Sequence, residues 1–249
     1  MSERRFGGIA RLYGQDAYSS FQSSHVIVVG IGGVGTWATE ALSRTGIGAL
    51  TLIDLDSIAE SNTNRQLHAL ENQFGRAKVE AMAERIGQIN PKCRVHMIED
   101  FVTPENVAQL LSDSPDVVVD AIDQTRVKVA IAAWCKEAKI SVVTAGAAGG
   151  RIDPTRVCVS DLARTTGDAL LSRVRQQLRK RHGFPRGEKS KFNISAVHSS
   201  EPMKSSPLDC DPSAGLSCAG YGSASVVTGT FGLVAAAEAL RLLTFKKSK

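Results

Sequence analysis

The feature that most constrains this chain is a cluster of glycines, Gly30-Ile31-Gly32-Gly33-Val34-Gly35. It lies between an apolar stretch, His25 to Val29, and a helical pattern, Val34 to Arg44. Gly30, Gly32 and Gly35 fill a GxGxxG spacing. The first glycine permits a tight turn, the second a close approach of backbone to phosphate, and the third close packing of helix on strand. Gly33 removes a further side chain from the same turn, and the helix N-terminus behind it faces an anion. Gly46 and Gly48 break the helix. Leu50 to Ile53 reads as a second strand ending at Asp54, whose carboxylate is placed to accept hydrogen bonds from both hydroxyls of a ribose. A strand, a glycine turn, a helix and an acid in this order predict a nucleotide site.

The alternation continues. Arg76 to Ile89 reads as a helix stopped before Pro91, Arg94 to Ile98 as a strand, and Val117 to Val119 as a buried strand ending at Asp120. Gln124 to Ala138 is helical and Ser141 to Thr144 is the next strand. Thr103-Pro104 reads as a helix start, with threonine as cap and proline at the first helical position. The predicted fold is α/β, a doubly wound, mostly parallel sheet of Rossmann-like type with a less regular C-terminal lobe. The lobe begins after Gly146. The stretch AGAAGG at 145–150 reads as a flexible turn, Val157 to Asp161 as one more strand, and 202–211 as loop. The expected organisation is a single domain with a nucleotide-binding core at 20–146. A substrate-binding insertion or lobe is expected at 147–221, then a closing helix and basic tail at 222–249. Ala224 to Leu243 is apolar enough to suggest a membrane span. Glu238, Arg241, Ser225, Thr228 and Thr230 favour a buried helix instead.

With 249 residues, 43% hydrophobic and 22% charged, the chain is neither disordered nor a charged tail protein. Its five cysteines, Cys93, Cys135, Cys158, Cys210 and Cys218, are dispersed and none has CxxC spacing, so no structural zinc site and no dithiol redox motif is expected. The N-terminus has arginines but no apolar run behind them, unlike a signal peptide. A reducing, cytoplasmic setting is expected.

The glycines and Asp54 suit NAD and ATP equally well. The residues beyond Asp54 favour ATP. Ser61 to Gln66 (SNTNRQ) sets Asn62 and Arg65 just past the ribose acid, and a guanidinium can bind polyphosphate in bidentate fashion. Lys78 opens the next helix, where an ammonium can stabilise charge on a leaving pyrophosphate. Asp123 sits just past a buried strand end, where Mg2+ is expected. Hydride transfer needs none of this set. Attack of a carboxylate on the α-phosphorus of ATP needs all of it, with Arg65, Lys78 and Asp123 as the catalytic candidates.

On GIGGVG at 30–35, TLIDLD at 51–56, SNTNRQ at 61–66, GRAKVE at 75–80, INP at 89–91 and DAIDQTRVK at 120–128, the chain resembles the adenylating family related to ubiquitin-activating enzymes. The resemblance implies that Asp54, Asn62, Arg65, Lys78 and Asp123 bind ribose, phosphates and Mg2+ in forming an acyl-adenylate. It also implies a homodimer in which an N-terminal arginine, Arg5 or Arg11, reaches the partner's ATP, with Arg11 slightly favoured. A cysteine desulfurase or sulfur-acceptor partner is suggested by the resemblance alone. Within the family, RRFGGIARLYG at 4–14, DLART at 161–165, RVRQQLRKRHG at 173–183, HSSEP at 198–202 and SCAGYGSASVVTGTFG at 217–232 resemble the tRNA threonylcarbamoyladenosine dehydratases. That group cyclises the threonylcarbamoyl side chain of adenosine 37 in tRNA, with release of AMP and pyrophosphate.

Charge supports an RNA partner. Between Arg173 and Lys191 there are eight Lys/Arg and one acid, Glu188, a local +7; the whole chain carries +5, so the remainder is −2. Arg173, Arg175, Arg179, Lys180 and Arg181 are the candidate phosphate contacts, and His182 and Phe184 are candidates to stack on a base. Activation of a small sulfur-carrier protein, an NAD-dependent oxidoreductase and a non-catalytic RNA-binding scaffold are the competing readings. Cys218 reads as a small buried or site-lining residue, Cys210 as an exposed thiol, His68 as structural, Met82 and Met97 as core, and Trp37 as packing.

Overall fold

A computed structural model of the chain describes residues 2–187, 189–204 and 221–246. Cys210, Cys218 and most of the expected loop at 202–211 lie outside the described residues.

Seven strands form one sheet: β1 His25–Val29, β2 Ala49–Ile53, β3 Arg94–Ile98, β4 Val117–Asp120, β5 Ser141–Ala145, β6 Val157–Asp161 and β7 Ser195–Ser199. Their order is β3-β2-β1-β4-β5-β7-β6, and only β6, at one edge, runs antiparallel to its neighbour. The central strands are apolar at nearly every position because both faces are covered. Alternate residues then serve alternate faces: Val26 and Val28 enter one core, Ile27 and Val29 the other.

The first face is covered by α2 Gln15–Ser23, α3 Gly35–Arg44, α4 Lys78–Ile89 and α8 Ser225–Lys246; the second by α5 Val107–Leu110, α6 Thr125–Ala138 and α7 Ala169–Arg181. The apolar C-terminal segment is a core helix, with Val227, Phe231, Ala235, Ala239 and Leu243 all buried. It crosses α3 so closely that a Cβ at Gly232 would lie 2.4 Å from Val34 O. Trp37 packs in this crossing, as expected of it: a Cβ at Gly229 would lie 3.4 Å from its ring.

Several expectations need correction. The strand expected at Val157 to Asp161 forms as β6, but the stretch after it, read as less regular, adds β7 beside it and α7. The helix expected at Thr103-Pro104 starts only at Val107. Thr103 Oγ1 still accepts the Glu105 and Asn106 N–H groups, but the Asn106 side chain ties Thr103 N and Phe101 O and holds 103–106 as a turn. Met97 is 52% exposed because β3 is an edge strand, whereas Met82 is wholly buried. The turn at 145–150 is pinned: Arg151 donates to Ala147 O, and Ala147 N donates to Asp168 Oδ2 at 2.9 Å. Two helices ahead of β1 were not foreseen, α2 and, before it, α1 Ser2–Tyr13. Its Arg5 donates to Ile89 O at 2.6 Å and Gln88 O at 3.3 Å, satisfying terminal carbonyls of α4.

Candidate nucleotide site

The chain leaves β1 toward β2 on one side and reaches β4 on the other. The strand order therefore reverses between β1 and β4, and open α/β sheets bind ligands past the C-terminal ends of the strands at such a switch point. The glycine turn lies there. Gly30 has φ +87°, and a Cβ at Gly35 would lie 1.8 Å from Gly30 O, so neither position tolerates a side chain. Thr36 closes the first turn of α3 by donating Oγ1 to Gly32 O at 2.7 Å.

Asp54 braces this turn. Its Oδ2 accepts Ile31 N–H at 2.6 Å and its Oδ1 accepts Asp56 N–H at 2.9 Å. Each carboxylate oxygen keeps a second lone pair, so a ribose diol can still be bound. Burial pushes the Asp54 carboxyl above its usual range, against the pull of Lys78 and of the two N–H donors. Lys78 is 5% exposed, and its Nζ lies 2.6 Å from Asp56 Oδ2 and 3.7 Å from Asp54 Oδ1. His68 underlies the same turn, donating Nε2–H to Ile31 O at 3.1 Å; burial lowers its pKa to about 4, so the ring is neutral.

Arg65 lies across the turn. A Cβ at Gly33 would meet Arg65 Cγ at 3.2 Å. Its guanidinium donates to Ser61 O at 2.8 Å and Asn64 Oδ1 at 2.9 Å, while Trp37 Nε1 donates to its carbonyl at 3.1 Å. Asn62 is buried and shapes the loop: its Oδ1 accepts Ala59 N–H at 3.1 Å, and its carbonyl accepts the N–H groups of Arg65 and Gln66. Asp123 stands beyond β4, exposed and without a hydrogen bond or ion pair to any described residue. One free carboxylate fits a share in holding Mg2+, which takes one or two carboxylates and completes its shell with phosphate oxygens and water.

The fold thus gathers Gly30, Gly32, Gly33, Gly35, Asp54, Asn62, Arg65 and Lys78 about the turn, with Asp123 just past the end of β4, the strand next to β1. The basic residues stand apart on α7. Asp168 caps α7 through Leu171 N and also holds Ala147 N beyond the C-terminal end of β5, so the helix starts at the sheet edge where the glycine turn lies. Thirteen residues later it ends about 20 Å away. Arg173 is exposed near its start, and Lys180 and Arg181 are exposed in its last turn. Arg175 donates to Thr165 Oγ1, and Arg179 donates to Pro185 O at 3.3 Å and lies over the Phe192 ring. Phe184 is 3% exposed and packs edge-on against Phe192, so it is not available to stack on a base: a short apolar pair in a basic stretch has been drawn into the core.

Sequence reasoning missed Asp56 as a partner of Lys78. It also missed a buried knot of Arg151, Asp168 and Glu201 around the turn at 146–153, and the buried pair of Lys128 and Asp120. For the last there was a signal, a lysine inside the apolar run Val127 to Ala133.

The ThiF family profile matches residues 7–249. The tRNA threonylcarbamoyladenosine dehydratase of Escherichia coli (strain K12) is 49% identical over 256 residues, covering 99% of this chain and 96% of that one. The enzyme of the same description from Haemophilus influenzae is 46% identical over 249 residues, covering 99% and 95%. The crystal structure of the E. coli enzyme in complex with ATP superposes with a TM-score of 0.90 over 99% of this chain and 96% of that chain, at 49% identity.

Proposed function

The chain belongs to the ThiF family, and from that premise we propose that it is an ATP-dependent tRNA threonylcarbamoyladenosine dehydratase. The observation that carries the adenylation chemistry is Lys78, a buried ammonium held beside the ribose acid and the glycine turn, where hydride transfer has no use for a cation. The RNA substrate is the one named for its relatives.

In this reading ATP lies over Gly30 to Gly35, its ribose on Asp54 and its phosphates toward Asn62, Arg65 and Lys78. A carboxylate oxygen of the threonylcarbamoyl group attacks the α-phosphorus. The O–P bond forms as the bond to pyrophosphate breaks, and Arg65 and Lys78 stabilise the charge gained by the leaving group. Asp123 would hold Mg2+, which supplies further neutralisation of phosphate charge when bound. A nitrogen of the same side chain then attacks the acyl carbon, loses its proton and expels AMP. The net change in the RNA is loss of one water. The nucleophile is internal to the substrate, so no covalent cysteine and no sulfur-transfer partner is required.

The reading extends to a cytoplasmic homodimer in which Arg11 reaches the neighbouring site. Arg5 is committed to α4, which supports Arg11 as the crossing residue. Residues 147–221 are assigned to substrate binding, with the exposed Arg173, Lys180 and Arg181 toward tRNA phosphates, Arg175 and Arg179 being engaged by Thr165, Pro185 and Phe192. The decisive experiment is mass spectrometry of nucleosides from threonylcarbamoyladenosine-containing tRNA, before and after incubation with the protein and ATP. A product lighter by one water, formed only with ATP, is expected; an unchanged nucleoside overturns the proposal.

A further inference from the structure

Lys128 has no exposed side-chain surface and Asp120 has 1%. The Lys128 Nζ lies 3.0 Å from Asp120 Oδ2, 3.2 Å from the Asp120 carbonyl and 3.1 Å from Thr144 Oγ1, so three donors meet three oxygens. The Thr144 hydroxyl donates to Asp120 Oδ2 at 2.7 Å, and Asp120 Oδ1 accepts Ile122 N–H at 3.2 Å. The polar network is closed. A buried ion pair is nonetheless weak evidence for stability, because apolar replacements of similar volume often leave a protein equally stable or more so. Net stability by itself does not explain why an ion pair, rather than apolar side chains, stands here.

Its location does. Asp120 is the last residue of β4, and the turn beyond it ends at Asp123. Lys128 holds the Asp120 carbonyl where the turn leaves β4, and the Asp120 carboxylate holds the turn at Ile122 N. Ala121 N donates to Val29 O at 2.8 Å, and a Cβ at Gly30 would lie 3.1 Å from Ala121 O. The turn is therefore clamped between the buried pair below and the glycine turn beside it. We propose that Lys128, Asp120 and Thr144 form a positioning unit for adenylation, fixing the Ala121–Asp123 turn so that the Asp123 carboxylate stands toward the phosphate tail of ATP. This rests on the adenylation reading above. None of the three touches the reacting atoms, so they are positioning residues.

The test compares the wild type with Asp120→Leu/Lys128→Met, which removes both charges together and leaves no buried ion unpaired. Amide hydrogen exchange of the ligand-free protein reads the turn directly. Exchange at residues 121–123 is expected to quicken at least about tenfold, with β1 and β2 unchanged. Single-turnover AMP formation with modified tRNA is expected to slow at least about tenfold, while ATP affinity by calorimetry without Mg2+ stays within about threefold. If the double variant does not fold, Thr144→Val deletes one hydrogen bond of the unit and should show both effects in smaller measure, about threefold. A folded double variant with single-turnover rate within about threefold of wild type overturns the proposal, and so does unchanged exchange in the turn. A wild-type protein that forms no AMP overturns the adenylation reading, and this proposal with it; that failure is seen before any variant is compared.

Discussion

Lys78 Nζ lies 2.6 Å from Asp56 Oδ2, a half-exposed carboxylate that holds the ammonium beside Asp54. The two residues enter the site from different elements, Asp56 from the loop after β2 and Lys78 from the start of α4. The pair aims a long, flexible side chain before any phosphate arrives, which lowers the ordering cost of binding. Lys78→Ala should lower the single-turnover rate about 10²–10³-fold, the usual loss for a donor that stabilises transition-state charge. Arg65→Ala should do the same. Rapid-quench measurement of AMP formation checks this, and rates within about threefold of wild type in both folded variants would refute the assignment.

Glycine substitutions should separate the turn from the scaffold. Gly35→Ala puts a Cβ 1.8 Å from Gly30 O, a contact with backbone that nothing flexible can relieve. It should cost more than about 3 kcal/mol and abolish ATP binding. Gly87→Ala, in α4 with nothing within 4 Å of the new Cβ, should instead raise stability by about 0.5–1 kcal/mol. Urea unfolding of the two variants beside the wild type distinguishes the outcomes.

His68 makes stability depend on pH. Its folded pKa of about 4 lies below the ordinary value of 6.5, because burial disfavours the charged ring. Between these values the unfolded chain binds the proton more readily. The stabilisation is thus complete above about pH 6.5 and is lost as pH falls toward 4. From pH 7 to pH 5 this one group should cost about 2 kcal/mol. His68→Gln, which retains an N–H donor for Ile31 O, should show a smaller loss over the same interval in urea titrations.

Subunit complementation tests the crossing arginine. Arg11→Ala and Lys78→Ala proteins should each be nearly inactive. Mixed and allowed to exchange, half of the dimers become hybrids with one intact site, so about a quarter of wild-type activity should return. No recovery, or a fully active monomer in sedimentation, would remove Arg11 from the mechanism.

The basic stretch should contribute through its exposed members. Arg179 is already committed to Pro185 O and the Phe192 ring, so Arg179→Ala/Lys180→Ala/Arg181→Ala should flatten the slope of log affinity against log salt by about two units rather than three. ATP binding should be unchanged. Filter binding at several salt concentrations reads the slope, and an unaltered slope would move the tRNA to another face.

The sequence by itself determined the order and span of the central elements and picked out the residues that the fold gathers about the glycine turn. Strands buried on both faces and a glycine turn are written in short, contiguous patterns: Val26 to Val29, Val117 to Val119 and Gly30 to Gly35 each declare themselves within a few residues. Asp54 and Lys78 were legible for the same reason, since each stands at a fixed offset from the end of an element. Tertiary structure decided what depends on partners distant in the chain. Arg5 and Ile89 meet across 84 positions, Asn64 and Ser223 across 159, and neither pairing leaves a local trace. Phe184 and Met97 went the opposite way from expectation because burial belongs to a place in the sheet and its covering layers, not to a residue type. Lys128 shows the limit most directly. The apolar run around it signals burial but names no partner; β4 and β5 bring Asp120 and Thr144 beneath it, and that convergence offsets the cost of burying an ammonium.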